Sequence, residues 1–428
     1  VLAVLLGACA PDPDKSTTTE DSVDIVDPEL ESFVLAMSPL PELPADPTNR
    51  WADDDTAAHL GQWLFFDTRL SASGRFSCAT CHDPALGFGD GLPLSEAAGT
   101  TDRHAPTLYN VGLHRWQFWD GRCDTLWCQA AGPIEHDKEL ALPRTTLART
   151  LADAEDLRLA YEELFGALPD LSDTERFPVD ARPVPDDPED PRGLAWDGME
   201  PADQAAVTAV MVNITKAIAA YERRLLTGRT PIDDFVDALD AGDAAAADAA
   251  LSADARAGLE LFAGEGGCVF CHSGGAFTNF EFHNLALPTP DWLTGLDAGR
   301  YDGIDLLLAS ELNAAGPWSD DPEGDQAARL GRIAQTAEQL AQFKVPGLRR
   351  VASSAPYFHG GHMDTLEDVV RFYSEAPETD AVGHREEMLV PLGWSDDEID
   401  AVVAFLTDGL GGGAPPAELL EPPASPLP

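Results

Sequence analysis

Two short segments constrain this chain more than anything else in it: Cys78-Ala-Thr-Cys81-His82 and Cys268-Val-Phe-Cys271-His272. Each sets two thiols three positions apart, with an imidazole directly behind the second. A zinc site needs four ligands at one point, so the two segments would have to meet in space. A redox dithiol has no use for the trailing histidine. Covalent attachment of haem uses every residue: two thioethers from the cysteines to the vinyl groups, and the imidazole as an axial iron ligand. Both segments follow a helical stretch ("QWLFFDTRLS", "AGLELFAGEG") and run into a Gly-rich loop. The duplication predicts two haem c groups, with thioethers at Cys78, Cys81, Cys268 and Cys271 and proximal ligands His82 and His272.

The pattern around those groups is helical. Apolar residues recur at helical spacing in "TAAHLGQWLFF" (56–66), "TLARTLADAEDLRLAYEELFG" (146–166) and "AAVTAVMVNITKAIAAYERRLL" (205–226), while strand-like alternation is scarce. The expected fold class is mostly α. With 428 residues the chain is long enough for two domains, expected at 51–228 and 229–410 with one CxxCH in each. Residues 10–50 read as a polar linker and 411–428, "GGGAPPAELLEPPASPLP", as a disordered tail. The Pro- and Asp-rich run 168–200 reads as a loop, and 285–340 as a long polar connection. Lys and Arg number 27 against 75 Asp and Glu, a formal charge of −48. That balance excludes nucleic acid and anionic membrane surfaces as partners; it suits a solvated surface or a face for a basic partner. No internal stretch has the roughly 18–20 apolar residues of a membrane span. "VLAVLLGAC" reads as the end of an export signal. Leu6-Gly7-Ala8-Cys9 resembles a lipobox, which makes Cys9 a lipidation site, with a plain signal and an incidental cysteine as the alternative. The expected location is the periplasmic side of a bacterial membrane, attached by lipid alone.

Beyond the haem motifs, the segments "LFFDTRLSASGRFSCATCHDPALGFGDG", "RHAPTLYNVG", "QFWDGR", "QAAGPIEHDKEL", "AIAAYERRL", "FKVPGLRRVASSAPYFHGG" and "TLEDVVRFY" occur in this order between about 55 and 408. In them the chain resembles the bacterial di-haem cytochrome c peroxidases and their MauG-type relatives. The resemblance implies two cytochrome c-like helical domains, each with one covalently bound haem c, and an active site at the N-terminal haem. It implies that Trp119 lies between the haems and that Gln129, Pro133 and Glu139 form the distal pocket. Splitting H2O2 needs a base that takes one peroxide proton and returns it to the leaving oxygen. Glu139 suits that task, and Gln129 suits orientation of peroxide or pocket water.

The chain departs from the family pattern at three places. No histidine lies between His82 and Arg103, where the peroxidases carry a ligand that closes the resting N-terminal haem; the haem at His82 is expected to be open. The family's Met ligand to the second haem falls on Tyr373, as in MauG-like enzymes, with Met363 as the rival. A phenolate is hard and anionic and favours ferric iron, where a thioether favours ferrous. The family's inter-haem calcium uses an Asn where this chain has His104; the remaining ligands would be the carbonyls of Ser354 and Pro356, so calcium is a weaker expectation than haem.

Two cysteines remain, Cys123 and Cys128. Residues five apart in a continuous helix have Cα atoms roughly 8–9 Å apart, too far for a disulfide. With Asp124 as the N-cap of a helix beginning "TLWCQA", Cys123 becomes N′ and Cys128 N4, positions that touch. A bridge there would pin the helix carrying Gln129, and two free thiols are the alternative. Three functional readings follow. One is a peroxidase drawing electrons from a small redox protein. Another is a MauG-like enzyme drawing them from a side chain of a partner protein. The third, from another class, is a non-catalytic di-haem electron carrier. The oligomeric state is open, a dimer included.

Overall fold

The computed structural model describes residues 25–379 and 382–428; the expected lipidation site Cys9 lies outside them. The chain is mostly α. Its first half holds α1 (Glu31–Leu35), α2 (Asp55–Phe66), the single turn α3 (Cys78–Cys81), α4 (Leu126–Glu135), α5 (Arg144–Asp153), α6 (Glu155–Phe165), α7 (Pro191–Asp197) and α8 (Pro201–Glu222). The second half holds α9 (Pro231–Ala241), α10 (Ala244–Ala250), α11 (Ala253–Ala263), α12 (Arg300–Ala309), α13 (Asp325–Leu330), α14 (Leu366–Glu375) and α15 (Asp396–Ala404). Two-residue strands β1 (Phe282–His283) and β2 (Phe343–Lys344) pair antiparallel, Phe282 opposite Lys344.

Each half is built around one helix crossing, and the two crossings use the same device. In α2, a Cβ on Gly61 would run into the carbonyl of Ala217 on α8; in α11, a Cβ on Gly258 would run into the carbonyl of Ala401 on α15. Both glycines open the sequence Gly-x-x-Leu-Phe that leads into a CxxCH. The missing side chain lets two backbones touch, which fixes where each haem segment leaves its helix. From Val207 onward α8 is apolar on nearly every face and almost wholly buried. It packs with Leu60, Leu64, Ile134, Leu147 and Leu151 in one cluster, while Phe235, Phe262, Phe277 and Phe405 centre the other.

Several sequence expectations need correction. The helical stretch 146–166 breaks at Ala154, which is extended and separates α5 from α6. The loop expected over 168–200 contains α7, started by Pro191 at the first helical position and by Asp190, whose side chain accepts from Arg192 N. The connection 285–340 contains α12 and α13; Ile304 and Leu307 anchor α12 by their burial. The linker expected to 50 is packed from residue 25 on: Ile25, Val26, Val34 and Met37 join the second-half core. The tail is not disordered. Leu419 and Leu420 pack against the cluster that contains Phe65, Phe88 and Tyr221, and Leu427 packs against the first-half core. Gln62 donates to the carbonyls of Glu418 and Glu421, and Tyr221 to that of Leu419. Proline makes a segment extended, and an extended segment with its carbonyls satisfied by side chains docks as a strap.

Candidate active site

The two haem segments are the same construction executed twice. α3 is capped by Ser77, in a reciprocal pair with Thr80, and ends at His82, whose N–H donates to Cys78 O at 3.0 Å. In the second segment Cys268–Phe270 makes a 3₁₀ turn and His272 N donates to Cys268 O at 2.8 Å. Each imidazole then donates from Nδ1 to a phenylalanine carbonyl, His82 to Phe88 at 2.9 Å and His272 to Phe277 at 3.0 Å. Both phenylalanines are fully buried and both hold positive φ, 61° and 54°. That conformation costs energy for a bulky side chain and is held by packing. The bond fixes the tautomer, so Nε2 carries the free lone pair. Burial lowers the pKa of both rings, that of His272 to about 4, which favours the neutral imidazole.

These residues fit a covalent haem. Burial pushes the thiol of Cys81 up to about 11 and that of Cys268 to about 12. A thioether at either position buries no charge. Among the described residues no three His, Cys, Asp or Glu side chains converge as a metal-ion site, so the zinc arrangement does not form. Cys81, His82, Cys268, Cys271 and His272 all open into one cavity of about 1180 Å³. That exceeds the roughly 300–1,000 Å³ of an ordinary ligand pocket and suits a pair of large groups.

The distal residues reach the cavity from α4 and the turn after it. Gln129 and Pro133, four apart, share one helix face; they line the cavity with Glu139. The N-cap of α4 is Thr125, whose hydroxyl accepts from Cys128 N at 3.1 Å. It is not Asp124, because the Asp124 carboxylate accepts instead from Ala314 N of the second half, at 3.1 Å. Cys123 and Cys128 are nevertheless joined, their Cα atoms 5.8 Å apart. Burial raises the pKa of Glu139 above the usual carboxylate range; the charges of His136, 3.2 Å away, and of Arg122 oppose that shift.

Trp119 is buried against the same cavity. Its indole N–H donates to His104 O at 2.8 Å, and its own carbonyl accepts from Lys344 N of β2 at 2.8 Å. The neighbouring Asp120 takes Arg103 at 2.5 Å and Arg122 at 2.9 Å, and Arg103 continues to Asp297 at 2.8 Å. The tryptophan is thus clamped between elements of both halves.

On the second-half side, Tyr373 of α14 faces the cavity with Cys268 and Cys271 nearby. Its hydroxyl has no protein hydrogen-bond partner among the described residues, and burial pushes its pKa up. Met363 is not among the cavity-lining residues; its backbone pairs with Tyr357 instead. His104 is buried, and its Nδ1 donates to Leu92 O at 2.9 Å. The Ser354 carbonyl lies at the same ring, and the Ala355–Pro356 peptide beside it is cis. Such a ring meets carbonyls as a donor, whereas calcium takes oxygen ligands.

Sequence reasoning missed several cavity residues. His283 of β1 sits 2.6 Å from Glu386 and 3.8 Å from Cys271 Sγ. Lys344 is buried, with Nζ donating to Trp116 O at 3.2 Å. His359 stacks on Phe343 with centroids 3.5 Å apart. Of these, Lys344 and His359 both lie in the family-like segment "FKVPGLRRVASSAPYFHGG". The pairing of His283 with Glu386 has no local signal.

This architecture, a mostly α fold with two half-buried CxxCH histidines opening on a shared cavity, defines a di-haem c-type protein. The family model for di-haem cytochrome c peroxidase matches residues 55–241. The cytochrome-c peroxidase IdrP2 of Denitromonas iodatirespirans is 31% identical over 370 residues, 85% of this chain and 84% of that protein. The methylamine utilization protein MauG of Methylorubrum extorquens is 29% identical over 349 residues, 81% of this chain and 76% of that one. A solved MauG-like protein associated with microbial copper homeostasis shares the fold with a TM-score of 0.61 at 21% identity, over 90% of this chain and 98% of that one. The chain belongs to the di-haem cytochrome c peroxidase family. It is a peroxidase-type oxidoreductase, and its cofactor is haem c.

Proposed function

We propose that the chain reacts with H2O2 in the pocket of Gln129, Pro133 and Glu139 beside His82, and draws electrons through the His272 side by way of Trp119. Haem, when bound, supplies the iron that receives peroxide and exchanges electrons. The protein does the rest. Cys78, Cys81 and His82 would hold one group, and Cys268, Cys271, His272 and Tyr373 the other. Glu139 takes a proton from the near peroxide oxygen and delivers it to the leaving one, releasing water. The Gln129 amide orients peroxide, and Pro133 shapes the pocket without adding a donor.

The observation that carries this reading is the position of Tyr373, which opens with a free hydroxyl onto the cavity from which Met363 is absent. It favours the MauG-like version, in which electrons come from a side chain of a partner protein. A small, basic redox protein as donor is the second reading, supported by the charge of −48. A non-catalytic carrier leaves the pocket of Gln129 and Glu139 without a task. We place the protein on the periplasmic side, held by a lipid on Cys9, with domains at 51–228 and 229–410. The test is rapid-mixing spectroscopy of the fully ferric protein. One equivalent of H2O2, without prior reduction, should change the absorbance of both haems within the mixing experiment. A reaction that begins only after one-electron reduction would overturn the MauG-like version.

A further inference from the structure

The start of α4 is a weak helix terminus in a place that needs a firm one. α4 has ten residues, with Gly132 and Pro133 in its second half; such a helix has little stability of its own. Its first turn is capped by one hydroxyl, that of Thr125. Gln129 stands immediately after that turn. Two contacts tie α4 to the segment that carries Trp119, and a third braces that segment itself. The Cys123–Cys128 disulfide closes on α4 directly. Gln117 N donates to Cys123 O at 2.8 Å, two residues from Trp119. One turn further, Gly132 lies so close to Phe118 that a Cβ would come within 3.2 Å of the ring, and the Arg122 guanidinium stacks on that ring at 3.5 Å. The second half adds Gln326, which donates to Asp124 O, and Ala314 N, which donates to the Asp124 carboxylate.

We propose that the Cys123–Cys128 disulfide is a positioning clasp for the peroxide pocket. It fixes the helix that carries Gln129 and Pro133 against the segment that carries Trp119, so that the peroxide-orienting amide and the electron relay keep one geometry. Both cysteines are buried, so the link is shielded from solvent thiols in the folded chain. The inference rests on the pocket assignment above. A displacement of about 1 Å in a positioned group can cost on the order of 100-fold in rate, and an unclasped first turn allows that much.

The test is the Cys123→Ala/Cys128→Ala double variant of the full chain, isolated with both haems, compared with wild type and with Gln129→Ala. The expected result has three parts. The second haem keeps its electron paramagnetic resonance signal. The signal of the His82 haem changes, and the peroxide rate falls about 10–100-fold. In the Gln129→Ala background, removing the disulfide costs clearly less than in wild type, because part of its effect acts through that amide. A wild-type rate together with a wild-type His82 haem signal overturns the proposal, whatever happens to the melting temperature. Fully additive losses with Gln129→Ala also overturn it. Should the alanine pair not accumulate as holoprotein, Cys123→Ser/Cys128→Ser is read in the same way. Loss of holoprotein in both pairs overturns the proposal, since the bond is then needed for folding and not for placement.

Discussion

Replacing Glu139 by Gln keeps the size of the side chain and the bond from Ala98 N to its carbonyl, 3.2 Å, while removing the oxygen that titrates. The magnitude follows from the role: positioned acid–base groups contribute about 10²–10⁴-fold. The change should lower the rate of H2O2 reaction by that factor, with both haem spectra near wild type. The pH profile adds a second, independent signature. Glu139 acts as a base only when ionised, and burial raises its pKa above the usual carboxylate range. The wild-type rate should therefore rise with pH through that raised value and then level off. His136, 3.2 Å away, favours the ionised form when protonated, so His136→Asn should move the rise to higher pH. Glu139→Gln should abolish it. Stopped-flow mixing of the ferric protein with excess peroxide, from about pH 4 to pH 8, measures both quantities. An unaltered rate in Glu139→Gln, or a profile that persists without the carboxyl, would refute the assignment of the base.

Three further predictions rest on other parts of the molecule. Tyr373→Met should raise the reduction potential of the second haem, read by spectroelectrochemistry, because a thioether favours ferrous iron; an unchanged potential removes Tyr373 from the ligand set. Gly258→Ala should destabilise the protein by about 1–3 kcal/mol, since the new Cβ meets the Ala401 carbonyl and not a movable side chain; denaturant unfolding reads it, and no loss would mean the helices separate freely. Glu222 is buried with one carboxyl oxygen unpartnered, and burial pushes its pKa up to about 8 from 4.5. A folded pKa raised above the unfolded one gives stability that is full below about pH 4.5 and lost as pH rises through about 8. The loss is at most roughly 4–5 kcal/mol, and Glu222→Gln should flatten it in melts followed across that range.

The local signals in this chain carried a long way. CxxCH makes each haem segment legible, cysteines and imidazole together; the phenylalanine carbonyl that accepts the Nδ1 hydrogen bond within six residues has no such signal. α2 and α8 follow their apolar spacing closely. The failures have physical causes. Asp124 looks like the better cap for α4, but its carboxylate serves Ala314, a partner 190 residues away. Composition suggested linker and disorder at both ends. Four apolar residues between 25 and 37 nevertheless join the core, and three leucines pin the tail. His283 and Glu386 meet at 2.6 Å across 103 residues, and no pattern in the sequence announces such a pair. The resemblance put the second-haem ligand on Tyr373 with Met363 as the rival; Tyr373 on α14 lines the cavity, while Met363, three residues before that helix, pairs with Tyr357.

The central claim is two haem c groups of unlike coordination serving one peroxide site. Electron paramagnetic resonance of the as-isolated ferric protein tests it most directly, together with the count of haems that survive acid–acetone extraction. The account predicts two covalent haems per chain. One should be high-spin and open at His82, losing its signal on addition of H2O2, and one low-spin with His272 and Tyr373. Two low-spin, six-coordinate haems that ignore peroxide, or a single covalent haem, would contradict it.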